Sequence, residues 1–237
     1  FKNHGLLQLQ DRPQWFVIEG GSREYVKRLT EGHVDRIRLN EAVTSVARTA
    51  AGVQVTSGGG GTETYDYVFM ACHSDQALGL LRDPTQDESD VLGAIRYQPN
   101  EAVLHTDASV LPRRRRAWAA WTYCIPENSN GHVAVSYNMN ILQGLDAQET
   151  YVVTLNDDRS IDPGKIIRRV QYDHPMYTLE TIAAQRRQRD INCDRTFYCG
   201  AYWRNGFHED GVVSALDAVA HFEEKLVNEE LHLRRAG

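Results

Sequence analysis

In the first 95 residues, short segments space their apolar residues either at helical intervals or at every second position. Residues 22–31 place apolar side chains at helical spacing after a Gly-Gly pair, so a helix capped by Ser22 is predicted. Alternating positions predict four strands, near Ile37 and over residues 43–47, 53–56 and 65–71. Two short helices should follow, one capped by Ser74 and one over residues 87–94.

The pattern changes after Pro99, where strand-like runs follow one another without helices between them. They cover residues 102–106, 117–125, 132–139, 151–155 and 166–172. Such a series, broken by turn-rich segments, indicates an antiparallel sheet. A helix over residues 178–189 and a closing strand and helix complete the pattern. The chain is therefore predicted to be α/β.

The longest glycine run, residues 58–61, lies between two alternating strand-like segments. A flexible hairpin tip explains this position better than a phosphate-binding loop, because no helix follows it. The chain contains no G-x-G-x-x-G motif.

Composition narrows the class of protein. The hydrophobic content of 41% and charged content of 24% are those of a globular protein, and the net charge of −6 argues against a general nucleic-acid binder. Four cysteines without C-x-x-C spacing predict reduced, structural thiols and a cytoplasmic location. No apolar run approaches the ~20 residues of a membrane span.

The segment over residues 197–215 is the most informative part of the chain. An aromatic strand runs into Gly200, a loop carries Trp203, Phe207 and His208, and Gly211 is expected to open a long helix. A glycine at a helix start leaves backbone N–H groups free to face an anionic or carbonyl-rich group.

Two groups of polar residues are candidates for a catalytic or metal site. The His208-Glu209-Asp210 run lacks the i, i+4 spacing of helical metal ligands, so no metal site is predicted. His105 and Asp107 share one face of a strand. A surface or hydrogen-bonded core pair is the favoured interpretation, and an acid–base pair is the alternative.

Several segments, in this order, resemble bacterial NAD/FAD-binding proteins of the flavin-containing amine oxidoreductase superfamily, which includes amine oxidases and phytoene desaturases. They are Asn3-His-Gly-Leu-Leu7, Asp11-Arg-Pro-Gln-Trp15, the Gly-Gly helix, Ala71-Cys-His-Ser-Asp-Gln-Ala77, Ile95-Arg-Tyr-Gln-Pro-Asn100, Ala102-Val-Leu-His-Thr-Asp107 and residues 197–215. The resemblance implies FAD and a two-domain fold. It assigns residues 1–19 to the end of a substrate-domain segment, 20–94 to the FAD domain, 95–192 to the substrate domain, and 193–237 to a C-terminal FAD-domain segment. Because the family begins with G-x-G-x-x-G, this chain is expected to be a C-terminal fragment, inactive by itself.

The resemblance also implies where the cofactor is contacted. Val43 corresponds to the strand residue at the adenine, and Ala71 and Cys72 to the strand end beside the adenosine. The pyrophosphate–ribityl and flavin-ring ends correspond to two further segments, Gly200, Ala201, Tyr202 and Gly211, Val212, Val213. Trp203, Phe207 and His208 are the expected neighbours of the flavin ring.

Three functional interpretations stay open. The first is hydride abstraction from an unknown small-molecule substrate by a full-length FAD-dependent oxidoreductase. The second is desaturation of a lipid or polyene acyl chain, favoured because residues 101–106 lack the lysine that amine oxidases often hold near the flavin. Arg113, Arg114, Arg115 and Arg116 precede two tryptophans and are compatible with a solvated loop, an acidic substrate group or peripheral membrane contact. The third interpretation is a non-catalytic binding module.

Overall fold

The computed structural model describes residues 10, 14, 16–124, 134–157 and 161–236. The helices in these residues are α1 (Arg23–Thr30), α2 (Ser74–Leu80), α3 (Gln86–Gly93), α4 (Met139–Gln143), α5 (Leu179–Gln185), α6 (Gln188–Ile191) and α7 (His208–Ala236). The strands are β1 (Val43–Thr49), β2 (Gly52–Ser57), β3 (Thr62–Tyr65), β4 (Val68–Met70), β5 (Tyr97–His105), β6 (Trp121–Cys124), β7 (Ala134–Asn138), β8 (Val152–Leu155), β9 (Ile166–Pro175) and β10 (Thr196–Tyr198). No helix among them is both long and apolar enough to cross a membrane.

The strands form three sheets. An antiparallel sheet of order β1-β2-β3 comes first, and its glycine-rich β2–β3 turn is the predicted hairpin: the Ser57 amide donates to the Gly61 carbonyl at 3.0 Å. The second half of the chain builds a five-stranded sheet of order β6-β7-β8-β5-β9 in which every pairing is antiparallel. This confirms the mixed α/β class and the predicted antiparallel sheet.

The third sheet joins distant parts of the sequence. β10 pairs with β4 in parallel, with Tyr198 opposite Met70. A core of buried side chains, among them Val46, Leu92 and Tyr198, packs this pair against α2, α3 and the β1–β2 sheet. The domain boundaries given above stay a prediction, and most of residues 1–19 lie outside the described residues.

Several predicted elements were wrong in detail. The strand near Ile37 is instead a 3-10 turn, Val34–Arg36, followed by chain without a strand partner. The run over residues 65–71 belongs to two strands, because β3 pairs antiparallel with β2 and β4 pairs parallel with β10. The helix over residues 178–189 divides into α5 and α6 at Arg187, whose backbone leaves helical geometry.

The predicted helix caps also need correction. Ser22 has helical backbone angles and its side chain makes no cap hydrogen bond. His73, not Ser74, is the N-cap of α2; the Ser74 hydroxyl is buried and donates to the Ile95 carbonyl at 3.3 Å. The predicted strand over residues 117–125 is shorter, because the 3-10 helix Arg115–Ala117 precedes β6.

Candidate functional site

The candidate site lies beyond the carboxyl ends of β4 and β10. Because these strands are parallel, the chain leaves both at the same end of the sheet, through Ala71 and Cys72 after β4 and through Cys199 and Gly200 after β10. In open parallel sheets, ligands bind in the crevice outside the strand carboxyl ends. The fold therefore brings together two segments that the sequence assigned separately to the cofactor.

A cavity of about 650 Å³ adjoins β4 and brings Val43 to the same place as Ala71 and Cys72. Its remaining lining is mostly aliphatic and aromatic, with Gln76 as the polar member: Ala42, Val46, Val55, Val68, Phe69, Met70 and Leu80. A flat apolar ring with a few hydrogen-bonding edges suits such a lining. These residues thus fit the adenosine part of FAD.

β4 is also an open edge. Val68 and Met70 exchange backbone hydrogen bonds with the β10 segment, so the N–H and C=O of Phe69 point the other way, where no described residue pairs with them. The Phe69 side chain is 40% exposed. Sheets usually contain about four to six strands, so a sheet of two strands with an open edge is unusual.

The segment after β10 is fixed against the start of α7. The Gly200 amide donates to Ser214 Oγ at 2.9 Å, and that hydroxyl donates to the Gly211 carbonyl at 2.9 Å. Gly200 has φ +156°, and a Cβ at this position would overlap the ring of Tyr202. Gly211 approaches Ala201, whose amide would lie 3.9 Å from an added Cβ. The two predicted glycine segments are therefore in contact.

The predicted start of the last helix at Gly211 was wrong. α7 begins at His208, and the Gly211 amide already donates to the Phe207 carbonyl at 3.2 Å. The Asp210 carboxylate sets this start, because it accepts from the amides of Asn205 at 3.2 Å and Phe207 at 2.9 Å. The amides left without a described partner are those of His208, Glu209 and Asp210, so Val212 does not offer a free N–H.

The three expected neighbours of the flavin ring lie in different surroundings. Trp203 is only 4% exposed and packs in the core beside Tyr202, whereas Phe207 is 37% exposed and His208 is exposed. Trp203 Nε1 and Tyr202 Oη are buried without a hydrogen-bond partner among the described residues. Burial raises the pKa of the Tyr202 phenol well above its usual value. The proximity of these residues to a flavin stays a prediction.

A second cavity, of about 720 Å³, adjoins the N-terminus of α7. It is lined by residues from three separate segments: Phe16, Val17, Ile18, Glu19, Gly20, Gly21 and Ser22, then Gln143 and Leu145, then His208. His208 Nδ1 lies 3.4 Å from Tyr25 Oη of α1. The sequence pattern identified the Gly20-Gly21 pair as the turn before a helix and did not assign it to a binding site. It did not predict α4, which positions Gln143.

His105 and Asp107 form a hydrogen-bonded core pair. His105 Nδ1 accepts from the Asp107 amide at 3.1 Å, so Nε2 carries the proton and donates to Thr154 Oγ1 at 2.8 Å. Burial lowers the pKa of His105, which keeps the imidazole neutral. The Asp107 carboxylate accepts from the Asp162 amide and from Lys165 Nζ. Both ring nitrogens of His105 therefore have hydrogen-bond partners, so the imidazole can be buried without an unpaired polar atom.

Comparison with known proteins agrees with this geometry. The family model described as flavin containing amine oxidoreductase matches residues 2–114. No curated protein matches the sequence. Among the described residues, no group of three or more His, Cys, Asp or Glu side chains could hold a metal ion.

Three solved structures share the fold. Cyclohexylamine oxidase from Brevibacterium oxydans IH-35A is 14% identical with a TM-score of 0.59, over 86% of this chain and 53% of that one. A putrescine oxidase variant is 11% identical with a TM-score of 0.55 over the same shares. The CLA-producing fatty acid isomerase from P. acnes is 15% identical with a TM-score of 0.52, over 77% of this chain and 47% of that one. The chain thus spans about half the length of these structures.

Together, the family match and the shared fold confirm the predicted resemblance to the flavin-containing amine oxidoreductase superfamily. They also support FAD as the cofactor. The bacterial origin and the fragment status stay predictions.

Proposed function

We propose that this chain is part of a FAD-dependent oxidoreductase whose substrate is bulky and largely apolar. The observation that carries the proposal is the meeting of Val43, Ala71 and the Gly200 and Gly211 segments at one end of the β4–β10 sheet. Val43 and Ala71 line one cavity, the Gly200 segment leaves the sheet at the same end as Ala71, and Gly211 lies next to Ala201; an extended dinucleotide would have to pass along all of these segments. The edge of β4, which no described residue pairs with, supports a further segment that completes the sheet.

Different residues at this end of the sheet would contact different parts of FAD. Val43, Ala71 and Cys72 would hold the adenosine in the apolar cavity, and the Gly200–Gly211 contact would bring backbone close to the middle of the cofactor. The amides of His208, Glu209 and Asp210, at the positive end of the α7 dipole, would face the oxygen atoms at the ring end. When bound, FAD supplies the capacity to take a hydride from a substrate carbon.

The substrate class is inferred from the second cavity. Phe16, Val17, Ile18 and Leu145 give the cavity an apolar wall, and its polar side chains are Glu19, Ser22, Gln143 and His208. Burial of an acyl chain there stabilises the complex by about 0.8 kcal/mol per CH₂. The fold shared with a fatty acid isomerase and the absence of lysine from residues 101–106 favour an acyl or polyene chain. Amine oxidation is the second candidate, favoured by the two amine oxidases of the same fold.

The adenosine cavity can be tested by filling it in the full-length protein. Ala71→Phe should abolish flavin binding, because the ring occupies the cavity, and Ala51→Phe in the exposed β1–β2 turn is the matched control. Flavin content is measured by absorbance after gel filtration. Equal flavin in both variants would show that the nucleotide lies elsewhere.

The α7 contact is tested by Gly211→Val against Gly211→Ala. A methyl group fits 3.9 Å from the Ala201 amide, whereas a branched side chain pushes α7 away from the Gly200 segment. We expect Gly211→Val to lose flavin with its circular dichroism unchanged and Gly211→Ala to retain it. Stoichiometric flavin in the valine variant would refute this role.

The cofactor should be held without a covalent bond. The Cys199 thiol is buried and burial raises its pKa, as it does for Cys72, so both are poor nucleophiles. Acid precipitation of the full-length protein should release the yellow colour into the supernatant. Colour that remains in the pellet contradicts noncovalent binding.

Substrate class is decided by anaerobic bleaching of the flavin in the full-length protein. Long-chain acyl compounds and polyenes should reduce it, and primary amines or polyamines should not. Rapid bleaching by amines alone would establish the amine oxidase alternative. A protein that binds no flavin when intact would support the binding-module interpretation.

A further inference from the structure

Four consecutive arginines lie on the surface just before the edge strand of the five-stranded sheet. Arg113, Arg114, Arg115 and Arg116 are all exposed, and no described carboxylate lies within ion-pair distance of any of them. Several arginines elsewhere pair with an aspartate or glutamate, among them Arg48, Arg169, Arg187, Arg189 and Arg204, so the patch is distinguished by four consecutive arginines without a described partner. We name residues 113–116 the arginine patch.

The loop that carries the arginine patch is held in place by Trp118. The indole Nε1 donates to the Pro112 carbonyl at 2.7 Å, and the Arg115 guanidinium lies 5.4 Å above the indole ring. The loop is thus closed on itself from Pro112 to Trp118. This arrangement leaves the patch exposed, with no carboxylate of the described residues close enough to neutralise it.

Apolar side chains flank the arginine patch. The Asn138 amide donates to the Ala120 carbonyl at 2.9 Å, which fixes the end of the loop against the start of α4. Ile141 on α4 is 49% exposed, and Leu145 just after it is 40% exposed. On the edge strand β6, Tyr123 is 50% exposed. Cationic, aromatic and aliphatic groups are therefore presented on neighbouring segments.

We propose that the arginine patch, with Tyr123, Ile141 and Leu145, docks on an anionic lipid bilayer. Guanidinium groups bind phosphate oxygens bidentately, and aromatic and aliphatic side chains next to them can enter the headgroup region. Because the chain as a whole carries a net charge of −6, attraction to anionic lipid requires a local basic surface such as this one. A bare phosphate or a nucleic acid would use the guanidinium groups but not the flanking apolar side chains.

The docking surface lies next to the second cavity. Leu145 belongs both to the docking surface and to the wall of the second cavity, and Gln143 at the end of α4 lines the same cavity. Docking through this face would bring that cavity next to the bilayer. An acyl chain could then pass between lipid and cavity with little exposure to water.

The test is vesicle co-sedimentation of the purified full-length protein, and its readout, the protein found in the pellet, does not depend on flavin chemistry. Vesicles of phosphatidylcholine alone are compared with vesicles that also contain phosphatidylglycerol, at low and high salt. We expect binding only to the anionic vesicles, weakened by salt because exposed charges are screened over about 10 Å at 0.1 M. Each basic residue at such a surface contributes about a factor of five, so Arg113→Gln with Arg114→Gln should weaken partitioning roughly 25-fold.

The matched control is Arg168→Gln with Arg186→Gln, which removes the same charge from exposed arginines that likewise have no described carboxylate partner. Arg168 lies on β9, the opposite edge strand from β6. Ile141→Ser tests insertion at constant charge and should weaken binding to anionic vesicles severalfold. All variants are checked for an unchanged circular dichroism spectrum.

Equal losses in the patch variant and the control variant would overturn the proposal, because they would indicate attraction by net charge alone. Failure to bind anionic vesicles would overturn it directly. Full displacement by inorganic phosphate or duplex DNA, with no effect of Ile141→Ser, would replace the bilayer with a soluble polyanion. None of these results affects the proposed flavin chemistry, which is measured separately on the full-length protein.

Discussion

Glu88 offers the sharpest test of how the candidate site is supported. Its carboxylate is 2% exposed and binds both guanidinium nitrogens of Arg48, at 2.6 and 2.8 Å. It also accepts from Tyr198 Oη at 2.6 Å and from the Thr85 amide at 2.7 Å. Tyr198 is the last residue of β10, so this network fixes the strand from which the Gly200 segment emerges.

Glu88→Gln keeps the shape of the side chain and removes the charge. Breaking a buried ion pair by removal of one partner costs about 3–5 kcal/mol, because the other charge is left uncompensated. Asp83 still accepts from Arg48 Nε at 3.0 Å, so the lower end, about 3 kcal/mol, is expected. For a chain of 237 residues this corresponds to a melting temperature lower by roughly 6–12 °C.

Glu63→Gln is the matched control. Glu63 also accepts from an arginine and a tyrosine, Arg38 and Tyr65, and its pKa is likewise lowered to about 2, but it is exposed. Solvent screens this pair, so the substitution should change stability little. If Glu63→Gln and Glu88→Gln lower the melting temperature equally, the argument from burial is refuted.

The same network predicts a pH dependence. Burial by itself would raise the pKa of Glu88, but hydrogen bonds from Arg48, Tyr198 and the Thr85 amide outweigh it and lower the pKa to about 2. Since the carboxylate is favoured in the folded state, its contribution is full above the ordinary pKa of 4.5 and is lost as pH falls towards 2. Denaturant titrations should show this acid loss in the wild type and a smaller one in Glu88→Gln.

Further predictions concern Gly206 and His105. Gly206→Ala should destabilise the fold by about 1–2 kcal/mol or more, because φ is +89° and the Tyr177 hydroxyl would lie 2.6 Å from the new Cβ; Gly211→Ala, measured by the same urea titration, should not. Adding Tyr177→Phe to Gly206→Ala should restore part of the loss, and no recovery would exclude the steric explanation. Burial lowers the pKa of His105, so its contribution to stability is full above pH 6.5 and decreases as the pH falls below that value. His105→Gln should abolish this pH dependence of the melting temperature.

The sequence by itself determined the elements that depend on nearby residues. The hairpin at Gly58–61 follows from glycines between two alternating strands, and the antiparallel sheet follows from a series of strand patterns without helices. The family resemblance was visible in short segments that follow one another in the family's order. It predicted FAD as the cofactor and the residues that contact it. These features need only local backbone preference or a comparison of motifs.

Only the tertiary structure decided how distant segments meet. Residues 65–71 show one continuous strand pattern, yet they belong to two strands. The first part pairs with β2, and the second part pairs with β10, which lies far along the chain. α7 begins before Gly211 because the Asp210 carboxylate caps amides that precede it, and Trp203 is buried because the loop after Gly200 folds into the core. Strand partners, cavity walls and burial depend on contacts between remote residues, and the periodicity of a single segment carries no information about those contacts.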